Sequence, residues 1–325
     1  MKAANWVTHL DHDWHSPAWN PWLTELTRRH SLVRYDPRGC GLSDRLQIYF
    51  SFEKYVEDLA AVVEAAGLER FALFGFAGGG VIAVTYAARH PDRVSHLVLY
   101  GPFVRARFAR CTTPEQLAEE EALLRLIEMG WGKDDPSFRQ LFVSQLLPDG
   151  TAEQWRSFNE LMCLSASPQN AAGLMRAWFA FDVSTLAPLV RCPTLVLHPR
   201  GAIRVPFEEG RALAGLIPGA RFVPLDSRNL ILLEHEPAWQ QLVEALEGFL
   251  PVASSQTEPE GLRLDELTAR EREILEFVAQ GHHRKSSRSC HRRSARRSSC
   301  RTSRRGSTTS RPRRSVARRR KRPRP

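Results

Sequence analysis

Short apolar runs alternate with segments of helical periodicity from Leu32 to about Leu250, and this alternation strongly restricts how the chain can fold. It is typical of an α/β fold, a largely parallel β-sheet whose faces are covered by helices. The periodicity predicts helices over residues 56–63, 78–89 and 237–250. The apolar runs predict strands over residues 32–36, 71–75, 94–100, 193–198 and 220–225.

The strand pattern stops between Pro102 and Pro188. Helical periods, such as those over residues 117–129 and 155–164, take its place and are interrupted by prolines. A helical insertion between two strands predicts a cap, over about residues 103–188, above the carboxyl edge of the sheet. Ligands bind at that edge in open α/β folds.

A glycine-rich segment, Gly75-Phe76-Ala77-Gly78-Gly79, joins a predicted strand to a predicted helix. This context resembles the nucleophile elbow, G-x-S-x-G, of α/β-hydrolase proteins. The residue at the apex of that elbow is the nucleophile, and here it is Ala77. A methyl group has no lone pair with which to attack a carbonyl, so this position predicts no covalent catalysis. The alternative is an ordinary glycine-rich turn.

Two further segments resemble the same family. Residues 36–44, Asp-Pro-Arg-Gly-Cys-Gly-Leu-Ser-Asp, resemble its D-x-R-G-x-G-x-S loop, and residues 87–94 resemble its usual passage from helix to strand. Together with the elbow, the resemblance covers about residues 3–250. It implies an α/β-hydrolase-like domain at 1–250, and an activity on ester or amide bonds if the domain is an enzyme.

The other two catalytic positions that the resemblance implies are also substituted. The catalytic acid of the family usually stands four residues before the proline of a D-x-x-V-P segment, where this chain has Ala202 before Val205-Pro206. The histidine usually stands seven residues before the proline of an H…E-x-P segment, where this chain has Leu230. With Ala77, Ala202 and Leu230 at these spacings, we expect no intact triad and no hydrolase activity.

The predicted ligand cleft surrounds the elbow, and its candidate residues are Asn5, Trp6, Phe76, Ala77 and Gly78. Without a triad, an oxyanion site and substrate binding give only modest acceleration. The backbone N–H of Gly78 is the candidate oxyanion donor. Cys40 and His235 are stray candidates for nucleophile and base. We favour a structural role for Cys40, and the spacing of His235 places it out of reach.

Two segments near the amino end have other candidate roles. Asp11-His12-Asp13-Trp14-His15 contains metal-capable side chains but no further ligand at a suitable spacing, so we predict an exposed polar loop and no metal site. Trp6, Trp14, Trp19 and Trp22 are expected to pack in the core or in a cleft wall. This end is also short for the family, which usually has two or three strands before residue 3.

Cysteine usage and hydropathy indicate the compartment. The six cysteines form no CxxC pair, which indicates reduced thiols in a cytoplasmic protein. No apolar run of about 18 residues is present, so no membrane contact is expected. We expect no cofactor. The oligomeric state does not follow from the sequence.

The net charge of +10 hides two very different regions. Residues 282–325 contain 17 Arg, 2 Lys and no acidic residue, a charge of +19. Residues 1–281 contain 27 basic and 36 acidic residues, a charge of −9. The basic tail has too few apolar residues for a core, so we predict that it is disordered and binds DNA non-specifically through phosphates.

The segment before the tail carries a second resemblance. Residues 264–281 contain a capping box at Thr268 and Glu271 and resemble the first helix of a LuxR-type helix-turn-helix domain. Within it, Arg270 and Arg272 are weak candidates for DNA contacts. The motif breaks off after Gly281, which indicates a frameshift there. A genuine arginine-rich arm is the alternative.

These observations predict four regions: a hydrolase-like domain (1–250), a linker (251–261), a partial helix-turn-helix (262–281) and a disordered Arg/Ser-rich tail (282–325). Our first functional hypothesis is a catalytically silent sensor domain from a relative of LuxR-type transcription regulators. Its cleft would bind a small molecule or a protein partner. The alternatives are an α/β-fold hydrolase of ester or amide bonds and a defective gene product.

Overall fold

The computed structural model describes residues 1–46, 49–131, 136–178 and 181–251, apart from the side chains of Pro136 and Arg139. The predicted linker beyond Pro251, the partial helix-turn-helix with Arg270 and Arg272, and the basic tail lie outside these residues. All described residues belong to one compact unit that runs from Met1 to Ser254.

A parallel sheet of four strands forms the centre of this unit, which confirms the predicted α/β class. Its strands are β1 (Phe71–Phe76), β2 (Val94–Tyr100), β3 (Thr194–Pro199) and β4 (Arg221–Leu225), and they lie side by side in chain order. Every residue of β3 is buried. This agrees with a continuous apolar run in a strand that is covered on both faces. The four predicted strands differ from these bounds by at most one residue.

Helices precede, connect and follow the strands. Before the cap they are α1 (Leu10–His15), α2 (Asn20–Thr27), α3 (Phe52–Ala65) and α4 (Gly78–Arg89). The cap contains α5 (Arg107–Arg110), α6 (Pro114–Gly130), α7 (Pro136–Leu146), α8 (Ala152–Ser165) and α9 (Pro168–Trp178). A short 3₁₀ helix (Ala187–Leu189), α10 (Phe207–Leu216) and α11 (Pro237–Glu247) complete the described unit. The predicted end of α11 at Leu250 is three residues late, because Gly248 follows the helix as its cap residue.

Local sequence signals explain several of these helices. Ser51 caps α3, whose buried side chains Tyr55, Val56, Leu59 and Val63 recur at helical spacing. Thr151 and Gln154 form a reciprocal capping box at the start of α8. The starts of α3 and α8 are thereby specified by their own local sequence.

The predicted strand at residues 32–36 is wrong. These residues adopt no regular structure, although the carbonyl of Val33 accepts a hydrogen bond of 2.9 Å from the N–H of Lys2. Lys2 forms only an isolated parallel bridge to Phe74 of β1. One paired residue is too short to extend a ladder, so the apolar run at 32–36 packs beside the sheet without joining it as a strand.

None of the helices in the described ranges is both long enough and apolar enough to cross a membrane.

Candidate functional site

Ala77 occupies the sharp turn between β1 and α4. Its φ and ψ are 46° and −117°. Among the residues that the structure describes, it is the one residue other than glycine with a positive φ. Such a conformation costs about 1–3 kcal/mol for a residue with a β-carbon and persists only where its surroundings enforce it. A β-carbon on Gly75 would lie 2.5 Å from the α-carbon of Gly80, so β1 and α4 approach too closely for any side chain there.

A pocket of about 110 Å³ lies between this turn and the cap. All five predicted cleft residues, Asn5, Trp6, Phe76, Ala77 and Gly78, line it. The remaining lining side chains are mostly apolar or aromatic: Val7, Trp19, Phe103, Ala106, Phe142, Leu146, Phe158, Met175, Trp178, Val205, Leu230 and Ile231, with Arg107, Arg110 and Arg204.

The structure places two of the three predicted triad positions in this pocket. Ala77 and Leu230 both line it, whereas Ala202 is buried and does not. Leu230 packs against Gly101 at the end of β2, and its N–H donates to the carbonyl of Leu146 at 2.9 Å. An alkyl side chain thus fills the space beside the turn.

Glu236 fixes the loop that carries Leu230. Its carboxylate accepts hydrogen bonds from the Asn229 side chain at 2.9 Å and from the N–H of Leu233 at 2.8 Å. The Ser227 hydroxyl donates to the same carboxylate at 2.5 Å. The loop is therefore held by several hydrogen bonds, and the buried Leu230 has little freedom to leave the pocket wall.

The chemistry available in the pocket is limited. Among the described residues that line it there is no Ser, Thr, Cys, Tyr, His, Lys, Asp or Glu. No lining side chain can therefore serve as a nucleophile or as a general base near neutral pH. The backbone N–H of Gly78, the first residue of α4, has no acceptor within the helix and is available as a donor.

Neither stray catalytic candidate reaches the pocket. Cys40 is fully buried, its Sγ lies 3.3 Å from the carbonyl oxygen of Thr8, and burial raises the pKa of its thiol to about 12. A thiol with that pKa is not a nucleophile at neutral pH. His235 is exposed and does not line the pocket.

The sequence did not single out three arginines that line the pocket, Arg107, Arg110 and Arg204. Arg107 pairs with Glu120 of α6 through its Nε at 2.5 Å. Burial, followed by the nearby charge of Arg107, lowers the pKa of Arg204 to about 9, so its guanidinium stays protonated at neutral pH. The sequence feature that could have pointed to Arg107 and Arg110 is their spacing of three residues, which places both on one face of a helix.

The segment Asp11–His15 is not the exposed loop that the sequence predicted, because it forms α1. Asp13 in this helix is buried and pairs with Arg34 at 3.1 Å, and burial raises the pKa of its carboxyl to about 6. In the described part of the chain, no three His, Cys, Asp or Glu side chains are grouped as metal ligands would be.

The four tryptophans near the amino end separate into three environments. Trp6 and Trp19 line the pocket, and Trp19 meets Phe76 edge-on with ring centroids 4.9 Å apart. Trp22 is buried in the core, where its indole N–H donates to the carbonyl of Leu232 at 2.9 Å. Trp14 is 40% exposed, so the expectation of a packed side chain is wrong for this residue.

Similarity to known proteins supports the fold and its broad class. Residues 11–185 match the model of the alpha/beta hydrolase fold family. The pyrrolizixenacetamide deacetylase of Xenorhabdus hominickii is 27% identical over 242 residues, covering 71% of this chain and 85% of the relative. A putative carbamate hydrolase RutD of Azorhizobium caulinodans is 27% identical over 210 residues, covering 64% and 77%.

Solved structures give the same result. A thermophilic esterase from Thermogutta terrifontis superposes with a TM-score of 0.58 at 25% identity, covering 72% of this chain and 84% of the esterase. A hydrolase from Pseudomonas aeruginosa superposes with a TM-score of 0.60 at 23% identity, covering 71% and 83%. The relatives named here carry hydrolase names, which favours the hydrolase alternative over the regulator hypothesis. By its family match and its fold, this chain belongs to the alpha/beta hydrolase fold family.

Proposed function

We propose that the described domain binds a small, largely apolar molecule in the pocket beneath its cap and does not cleave it. One observation carries this proposal: the apex of the elbow is Ala77, and none of the described side chains that line the pocket can act as nucleophile or base. Binding capacity does not depend on those groups, whereas acyl transfer does.

The walls of the pocket support the binding half of the proposal. Aromatic rings from the amino-terminal segment, the sheet and the cap enclose the space, among them Trp6, Phe76 and Trp178. Concave pockets with apolar walls and a few polar groups are the usual form of small-molecule sites. A protein cavity of about 150 Å³ holds benzene, so a cavity of this order accommodates a single ring or a short branched chain.

A hydrolase of ester or amide bonds is the second candidate, and the comparisons favour it. The relatives are named as a deacetylase, a carbamate hydrolase and an esterase. With the described lining residues alone, such an activity would have to use a water molecule activated without a side-chain base. The oxyanion donor at Gly78 alone would give only a modest rate.

The regulator hypothesis rests on residues 264–281 and on the basic tail. Both lie outside the described residues, so DNA binding remains a prediction from the sequence. Ligand binding without cleavage by the hydrolase-like domain is compatible with a sensor role. The binding proposal does not depend on that role.

Turnover of p-nitrophenyl acetate and labelling by a fluorophosphonate test the proposal. We expect the folded protein to release nitrophenolate no faster than the same protein in denaturant and to form no phosphonylated Ala77-containing peptide. A saturable rate in the folded protein would contradict the proposal. The variants Cys40→Ala and His235→Ala would then show whether either stray candidate carries that rate.

A further inference from the structure

Most polar side chains that line the pocket are hydrogen-bond donors, and few are acceptors. Those that line it are three arginines, three tryptophans and Asn5. Guanidinium and indole groups only donate hydrogen bonds. The acceptor oxygen of Asn5 already receives a hydrogen bond of 2.6 Å from Nζ of Lys2. Among the described lining residues, donors therefore outnumber acceptors, and the one strong side-chain acceptor, Oδ1 of Asn5, already receives a hydrogen bond.

Arg110 contributes most to this imbalance. Its guanidinium forms no hydrogen bond or ion pair with any described residue, although Glu209 and Glu120 are near enough to influence its pKa. Burial, the largest cause, lowers that pKa from its usual value. Half-buried and facing a mostly apolar cavity, a guanidinium gains substantially from a partner of opposite charge.

The other two arginines increase the positive potential around Arg110. Glu120 pairs with Arg107, and the guanidinium of Arg204 lies 3.3 Å from the Gln145 oxygen and 3.5 Å from the sulfur of Met175. Burial is the largest cause of the lowered pKa of Arg204; the like charges of Arg107 and Arg110 lower it further, and Glu120 raises it. The positive charges beside Arg110 would attract an anion bound there.

We infer that the pocket takes a small organic anion, a carboxylate carried on an aromatic or short branched body, with the guanidinium of Arg110 binding the carboxylate. This inference rests on the proposed ligand-binding function. The planar fork of a guanidinium matches the two oxygens of a carboxylate, and the body fills the space between the aromatic walls. A neutral ligand of the same shape makes the apolar contacts but lacks the charge-assisted, two-point contact with the guanidinium.

The test compares three probes with the same benzyl body: phenylacetate, the neutral phenylacetamide of the same shape, and the cationic phenethylamine. Trp6, Trp19 and Trp178 line the pocket, so tryptophan fluorescence of the full chain reports occupancy. Phenylacetate is expected to bind at least tenfold more tightly than phenylacetamide, and phenethylamine is expected not to bind.

Substitutions assign the preference to Arg110. Arg110→Gln is expected to remove the tenfold preference, and Arg110→Lys to reduce it by losing the two-point contact while keeping the charge. The exposed Arg125 in α6 is the matched control, because Arg125→Gln removes the same charge from the cap without touching the pocket. Thermal unfolding of each variant, followed by circular dichroism, establishes that it is folded.

The outcomes separate failure of the charge preference from failure of ligand binding itself. If phenylacetamide binds as tightly as phenylacetate, the charge inference is overturned while ligand binding stands. Equal preference in wild-type protein and in folded Arg110→Gln overturns the assignment to Arg110. If none of the three probes changes the fluorescence, both the inference and the binding proposal are overturned.

Discussion

The indole ring of Trp178, at the end of α9, packs directly against the backbone of Gly78 at the start of α4. A β-carbon on Gly78 would overlap Cζ3 and Cε3 of that ring. Trp178 thus connects the cap to the elbow by direct packing, and both residues of this contact line the pocket. The absence of a side chain at residue 78 permits the contact.

Gly78→Ala is therefore expected to lower the free energy of unfolding by about 1–3 kcal/mol, because Trp178 must move to admit the methyl group. Urea unfolding measures this change. Gly215→Ala in α10 is the control: no atom lies within 4 Å of a β-carbon there, and we expect it to stabilise the helix by about 0.5–1 kcal/mol. Equal effects of the two substitutions would show that the contact between the cap and the elbow is loose.

The backbone of Ala77 gives a second prediction. Glycine adopts a positive φ without strain, so Ala77→Gly is expected to leave the free energy of unfolding unchanged or raise it by up to about 2 kcal/mol. The exposed Ala212 in α10 has an ordinary helical environment, and Ala212→Gly is expected to cost about 1 kcal/mol. A comparable loss in Ala77→Gly would mean that the turn is not strained.

The thiols should differ strongly in reactivity. At pH 8 iodoacetamide is expected to modify the exposed Cys163 and to leave the buried Cys40 unmodified, since burial raises the pKa of Cys40 to about 12. Peptide mass spectrometry distinguishes the two sites, and both should react in guanidinium chloride. Rapid modification of Cys40 in the folded protein would restore it as a candidate nucleophile.

A pair of isosteric substitutions at the elbow tests where the ligand binds. Ala77→Asp and Ala77→Asn add side chains of nearly the same size to the pocket lining, but only the first adds a negative charge. For phenylacetate we expect Ala77→Asp to weaken binding at least tenfold more than Ala77→Asn, about 1.4 kcal/mol, because the new carboxylate occupies the arginines and repels the ligand. Equal affinities would place the anion away from Ala77.

The sequence predicted the sheet and the elbow well because both depend on local patterns. Apolar runs identified four of the strands, and the glycines around Ala77 identified the turn between β1 and α4. The motif positions implied by the family resemblance also identified Ala77 and Leu230, which both line the pocket. Ala202, identified in the same way, does not line it.

The remaining features depend on contacts between segments distant in the chain. Residues 32–36 have strand-like composition, but a strand also requires a paired neighbour, and only Lys2 provides one hydrogen bond. The arginine cluster combines Arg107 and Arg110 of the cap with Arg204, which follows β3. No short-range periodicity relates residues about 100 positions apart, so their convergence on one pocket emerges only from the packing of the cap on the sheet.

Binding without cleavage is tested most directly by following one ester, ethyl phenylacetate, by proton NMR in the presence of the full-length protein. We expect the ester resonances to broaden on binding, phenylacetate to reverse the broadening, and no ethanol to form above the rate in buffer alone. Ethanol and phenylacetate appearing in equal amounts, at a rate that saturates with ester and disappears when the protein is unfolded, would contradict this expectation.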